Sequence, residues 1–180
     1  MKVKISVLAL MLVLISGLDN SAVLAAATPS FLGKTTWNLY VTEYTLDQGM
    51  AGRTLNLTGG ITRLGENYYS FQGTMPFVTT AGTSLMVLSG GGSLVDGQLI
   101  MSVSESMQFE GAITDRANGV MHFILNQSDL NGTITEVSIL RLGTPSHPYL
   151  NGYLAGNLTR TGPMIPLTQG VGGPLLLMLE

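Results

Sequence analysis

The chain has 180 residues, of which 11% are charged, and its formal net charge at neutral pH is −3. Beyond two lysines near its start it contains no basic run, which argues against a nucleic-acid partner because phosphate binding requires clustered positive charge. It also contains no cysteine, which excludes disulfides, thiolate metal sites and a lipid-modified cysteine. We expect no metal and no cofactor.

The first 27 residues have the build of a secretory signal peptide. Two lysines precede an apolar stretch at residues 5–18, and the small residues of SAVLAAA follow, with cleavage expected after Ala25 or Ala27. The apolar stretch is shorter than the roughly 20 residues that cross a bilayer, so we expect no stable membrane span. Export without cysteine favours a bacterial periplasmic or extracellular location.

The rest of the chain is long enough for one domain with its own core. We place a single β domain at residues 28–162 and a Pro/Gly-rich tail at residues 163–180. The tail ends in an apolar run, which either packs over the end of the domain or provides a route to self-association.

Apolar residues in the domain alternate with polar ones at the period of two that is typical of β-strands. Turn clusters rich in Gly, Asn, Asp and Pro separate the runs, among them SGGG at residues 89–92. We predict an all-β antiparallel meander of about eight or nine strands, closed into a barrel, with a β-sandwich as the alternative. The predicted strands lie near residues 37–42, 55–61, 69–75, 84–89, 94–104, 107–114, 119–126, 132–142 and 149–160.

A glycine flanked at a distance of two residues by apolar side chains occurs six times, at 57–61, 71–75, 95–99, 109–113, 130–134 and 150–154. Strand parity places these glycines on the same face as their apolar neighbours, toward the interior. Such glycines permit sharp bending of a closed sheet, with a large side chain covering each gap. Alternatively they line a ligand cavity.

Three stretches, GKTTWNLYV, LTGG and FQGTM, resemble the strand glycines and the early glycine and tryptophan of the small up-and-down barrels of the lipocalin and avidin groups. This calycin-type resemblance implies a barrel with a possible apolar ligand cavity. The tryptophans that surround biotin in avidins are missing, since Trp37 is the only tryptophan. The residues that we expect to line such a cavity are Trp37, Phe71, Gly73, Phe109, Gly111, Phe123, Gly132 and Gly152.

Catalytic residue types are scarce. His122 lies among apolar strand residues, and Glu136 shares a strand face with Ile134 and Leu140, which points it toward the interior. An acid and histidine pair of Glu136 with His122 is the one catalytic arrangement that the sequence suggests. No nucleophile elbow or phosphate-binding motif is present.

The leading hypothesis is an exported, non-enzymatic β-barrel that binds a small apolar or amphipathic ligand or acts as an interaction module. The first alternative is a barrel-type isomerase or cyclase that uses the interior acid. The second is a cell-surface or matrix protein that self-assembles through the apolar end of the tail.

Overall fold

A computed structural model describes residues 30–46, 48–79, 82–108, 116–141 and 149–167. Eight strands and one 3-10 turn make up these regions. In chain order they are β1 (Gly33–Tyr44), the 3-10 turn (Gln48–Met50), β2 (Thr54–Arg63), β3 (Tyr68–Thr79), β4 (Gly82–Val95), β5 (Gln98–Gln108), β6 (Arg116–Asn126), β7 (Gly132–Arg141) and β8 (Tyr149–Arg160). In these regions no helix has the length and apolar character needed to cross a membrane.

Each strand pairs antiparallel with the next along the chain, and β8 pairs with β1, so that the sheet closes into a barrel. The prediction of an all-β meander closed into a barrel is therefore confirmed, and the sandwich alternative is wrong. Closure removes the sheet edges that an open meander of this length would expose. The architecture is consistent with a calycin-like barrel.

The fourth hairpin differs from the predicted one. The glycines at 90–92 lie within β4, not in a turn, and the β4–β5 connection is the two-residue turn Asp96–Gly97. Both turn residues have positive φ, at 50° and 76°, as a type I′ Asp-Gly turn requires. Moving the turn assigns residues 94–95 to β4 and residues 98–104 to β5, and the described residues form eight strands.

The glycines in β4 allow the backbones of β4 and β5 to approach closely. Gly90 and Gly92 pair with Val103 and Met101, whose side chains are buried inside the barrel. A methyl group on Gly90 would collide with the Ser102 carbonyl oxygen, and one on Gly92 with the Ile100 carbonyl oxygen. These interior positions therefore have no room for a side chain.

Aromatic rings fill one half of the barrel. The Phe71 ring packs edge-on against Phe123, with centroids 5.2 Å apart, and lies 6.2 Å from Trp37. The Trp37 indole Nε1 donates a 2.9 Å hydrogen bond to the carbonyl oxygen of Leu130, a buried residue in the β6–β7 connection. Phe31 covers the same end of the barrel from before β1 and contacts Tyr69. This end of the barrel is plugged.

Two of the repeated glycines lie directly beneath the Phe71 ring. A methyl group on Gly59 would lie 2.5 Å from Phe71 Cζ, and one on Gly73 would lie 3.0 Å from Phe71 Cε1. These glycines are covered by a large side chain, as the bending interpretation expects. Gly97 is not an interior glycine, because it belongs to the β4–β5 turn, and Gly111 lies outside the described residues.

Candidate functional site

Two glutamates point into the other half of the barrel, away from the rings of Trp37, Phe71 and Phe123. Glu105 in β5 is 4% exposed, and Glu136 in β7 is 3% exposed. In β5 the alternation places Ser102, Ser104 and Ser106 on the outside, so Glu105 shares the inner face with Val103 and Met107. We call Glu105 and Glu136 the carboxyl pair.

A glycine in the intervening strand brings the carboxyl pair together. Gly119 in β6 pairs with Glu105 on one side and with Ser138 of β7 on the other. A methyl group on Gly119 would lie 2.7 Å from Glu105 Oε1 and 2.7 Å from the Val137 carbonyl oxygen. Because this position has no side chain, the Glu105 carboxyl extends across β6 toward β7.

Ser138 lies over Gly152, one of the repeated glycines. A methyl group on Gly152 would lie 2.6 Å from Ser138 Oγ, so the serine hydroxyl occupies the space that this glycine leaves free. The Ser138 hydroxyl donates a hydrogen bond to Glu136. Gly119 and Gly152 therefore accommodate the polar groups of the site, just as Gly59 and Gly73 accommodate Phe71.

Burial dominates the electrostatics of the carboxyl pair. Loss of hydration, followed by repulsion from the Glu136 charge and hydrogen bonding with Glu136, raises the pKa of Glu105 to about 8. Burial also raises the pKa of Glu136, while hydrogen bonds from Ser138 and Glu105 oppose that rise. The carboxyl pair therefore retains a proton at neutral pH.

No protein donor satisfies the Glu105 carboxyl. Both of its oxygens are buried, and neither has a donor within hydrogen-bond distance among the described residues. Buried polar atoms normally have such a partner, and an unpartnered pair of oxygens in an interior calls for an explanation. The shared proton supplies one hydrogen bond, and the remaining acceptor capacity is left open.

A cavity of about 20 Å³ lies beside the carboxyl pair, which is room for about one water-sized group. Tyr44, Leu46 and Leu140 are half-buried and connect this cavity to the surface, whereas the other apolar residues of its wall are buried. We call it the mouth cavity, and its lining consists of Tyr44, Leu46, Phe77, Met86, Glu105, Met107, Ala117, Glu136, Ser138 and Leu140.

Most of the described residues that the sequence suggested for a ligand cavity lie outside the lining of the mouth cavity. Trp37, Phe71 and Phe123 pack against one another in the plugged half, with Gly73 beneath the Phe71 ring. At Gly132 a methyl group would run into the β6 backbone at Ile124. Gly152 borders the cavity through Ser138 and Leu46, and Phe109 and Gly111 lie outside the described residues.

His122 is not part of the site. Its side chain is exposed on the outer wall, where Nδ1 lies 3.1 Å from Ser102 Oγ. Glu136 is inside the barrel, so the structure does not bring together the acid and histidine that the sequence suggested as a pair. The partner of Glu136 is a second carboxyl.

Glu105 was missed because the predicted strand boundaries broke β5 at residues 104–107. With the turn placed at Asp96–Gly97, strict alternation through SVSESMQ puts Glu105 on the buried face. The Asp-Gly dipeptide between two apolar alternating runs was the signal that could have corrected the boundaries. The second signal was Gly119. In the antiparallel register of β5 and β6 it lies opposite Glu105 and leaves space for the carboxyl.

The described part of the chain contains no group of three or more His, Asp or Glu side chains that could hold a metal ion. The site consists of two carboxyls, a serine hydroxyl and an apolar wall, so it can share a proton and accept hydrogen bonds.

No protein-family model, curated protein or solved structure matches this chain.

Proposed function

We propose that this protein is an exported β-barrel that binds a small amphipathic molecule at the mouth cavity. The observation that carries the proposal is the buried Glu105 carboxyl, whose oxygens have no hydrogen-bond donor among the described residues, in a cavity with apolar walls. Binding sites for small molecules combine a mostly apolar lining with a few convergent polar groups, and this end of the barrel has both.

The wall can adapt to a ligand larger than the cavity. Met86 and Met107 form part of the lining, and unbranched methionine side chains change shape at low cost. Leu46, Tyr44 and Leu140 provide apolar surface between the cavity and solvent. The polar end of a ligand thus meets the carboxyl pair, and its apolar part lies against these side chains.

The test uses the neutral fluorescent probe N-phenyl-1-naphthylamine and protein labelled with ¹³C at the methionine methyl groups. We expect saturable probe binding that shifts the methyl resonances of Met86 and Met107. The methyl resonance of Met101 should stay in place, because that residue packs beside Phe123, away from the cavity. Substitution Ala117→Leu, which fills the cavity, should weaken binding at least about tenfold.

The matched control is Ala155→Leu, which adds the same side chain on the outer face of β8 and should leave binding unchanged. A folded protein that takes up no probe would refute the proposal. Probe binding that shifts the methyl resonance of Met101, but not those of Met86 and Met107, would also refute the proposal. This comparison uses the wild-type protein alone.

A further inference from the structure

The carboxyl pair has acceptors in excess and lacks donors. Neither Glu105 oxygen has a hydrogen-bond donor among the described residues, and the Ser138 hydroxyl is already engaged with Glu136. No lysine, arginine or histidine is among the described residues that line the mouth cavity. Two buried acids without a cation are costly when ionised, and a positively charged donor is what would offset that cost.

From these observations we infer that the carboxyl pair is a binding site for the primary ammonium group of a small organic amine, whose apolar part contacts the wall of the mouth cavity. This inference rests on the proposed function and specifies the class of ligand. An ammonium group carries three N–H donors and one positive charge, which matches the open acceptors of Glu105 and the charge of Glu136.

The open acceptors of the site select among cations. The cavity volume of about 20 Å³ accommodates one water-sized group, and a primary ammonium is of that size and carries three N–H donors. A trimethylammonium group has no N–H donor, so it cannot replace the missing hydrogen bonds. The site therefore discriminates a primary amine from its methylated analogue.

Amine binding is linked to the proton of the pair, because the ammonium takes the place of the proton between the two carboxyls. Among the described residues of the cavity lining, the other titratable group is the phenol of Tyr44 on β1. The remaining elements around Glu105 contribute uncharged residues, namely Phe77 from β3, Met86 from β4, Ala117 and Gly119 from β6, and Gly152 from β8. One proton is then released for each amine bound.

The experiment compares octylamine, 1-octanol and octyltrimethylammonium by calorimetric titration of the full protein between pH 6 and pH 9. Octylamine should bind at least about tenfold more tightly than the other two at pH 8, as charge-assisted hydrogen bonds imply. Its affinity should rise by up to about tenfold per pH unit below pH 8, the slope expected for release of one proton.

Glu105→Gln should lower the affinity for octylamine at least about tenfold and abolish its pH dependence, with little change for 1-octanol. Glu43→Gln, at an exposed position of β1, is the matched control and should change nothing. Equal affinities of the wild-type protein for octylamine and 1-octanol would overturn this inference and leave the proposed function intact. Failure of all three probes to bind would count against the proposed function itself.

Discussion

Raising the pH from 5 to 9 should destabilise the wild-type protein by about 4 kcal/mol, and Glu105→Gln should remove most of this loss. The pKa of Glu105 is raised from 4.5 to about 8 in the folded barrel, and each pKa unit corresponds to about 1.4 kcal/mol. Between these two values the folded protein holds a proton that the unfolded chain has released. Stability therefore falls as the pH rises through this window.

The raised pKa of Glu136 acts in the same direction. In the Glu105→Gln variant the neutral amide replaces the titrating group, and Glu136 no longer faces a second carboxyl. Urea denaturation at half-unit pH intervals measures the free energy of unfolding, and Glu43→Gln at the exposed position serves as the control. A wild-type curve that is flat over this window, or a Glu105→Gln curve parallel to the wild-type curve, would contradict the expectation.

Phe71→Ala should cost about 3–5 kcal/mol, because it removes the ring that packs against Trp37 and Phe123. The more informative result is whether the stability losses of Phe71→Ala and of substitutions at the glycines beneath the ring are additive. Gly59→Ala alone should cost about 1–3 kcal/mol, since its methyl group would lie 2.5 Å from Phe71 Cζ and 2.7 Å from Phe71 Cε2. In the Phe71→Ala background those contacts are gone, and the cost of Gly59→Ala should fall by at least about 1 kcal/mol.

Gly73→Ala is the matched control for this cycle. Its closest contact is the Thr58 carbonyl oxygen at 2.7 Å, which remains when the ring is removed. The loss of stability caused by Gly73→Ala should therefore fall less in the Phe71→Ala background than the loss caused by Gly59→Ala. Urea denaturation near pH 6 measures all the variants. Two results would show that the Phe71 ring is not the reason for glycine at position 59. One is that the losses of unfolding free energy for Phe71→Ala and Gly59→Ala simply add, and the other is that Phe71→Ala reduces the losses for Gly59→Ala and Gly73→Ala equally.

The architecture could be predicted from the sequence because period-two alternation, frequent turn residues and the absence of helical patterning all favour the same fold. The strand boundaries around the glycines at 90–92 could not be predicted in this way. Three consecutive glycines are typical of a turn, yet these residues pair with β3 and β5 along β4. The close approach of two backbones imposed the glycines there, and sequence patterns contain no information on such tertiary contacts.

The alternation of residues along β6 and β7 does not by itself distinguish the interior face of these strands from the exterior face. Val120 and Ile124 flank His122 and are 42% exposed, and Val137 and Ile139 flank Ser138 and are 63% and 52% exposed. With apolar side chains on both faces, alternation alone does not show which face is interior. The position of His122 on the outer wall follows only when the register across the barrel is known.

The repeated glycine has one physical basis at several positions: the side chain of a neighbouring residue occupies the space where its own would be. That side chain is Phe71 at Gly59 and Gly73 and Ser138 at Gly152, and the Glu105 carboxyl occupies the same kind of space at Gly119, a glycine outside the repeat. The pattern alone does not show whether an aromatic ring or a carboxyl fills the gap. The plugged half and the mouth cavity therefore look alike in the sequence.

The central claim is that Glu105 is a buried acid that keeps its proton at neutral pH. The most direct measurement is an NMR titration of the ¹³Cδ resonances of labelled glutamate, with Glu105 identified by the resonance that Glu105→Gln removes. We predict a midpoint of about 8 for Glu105, with a smaller simultaneous change at Glu136. A midpoint near the ordinary value of 4.5 would contradict the claim.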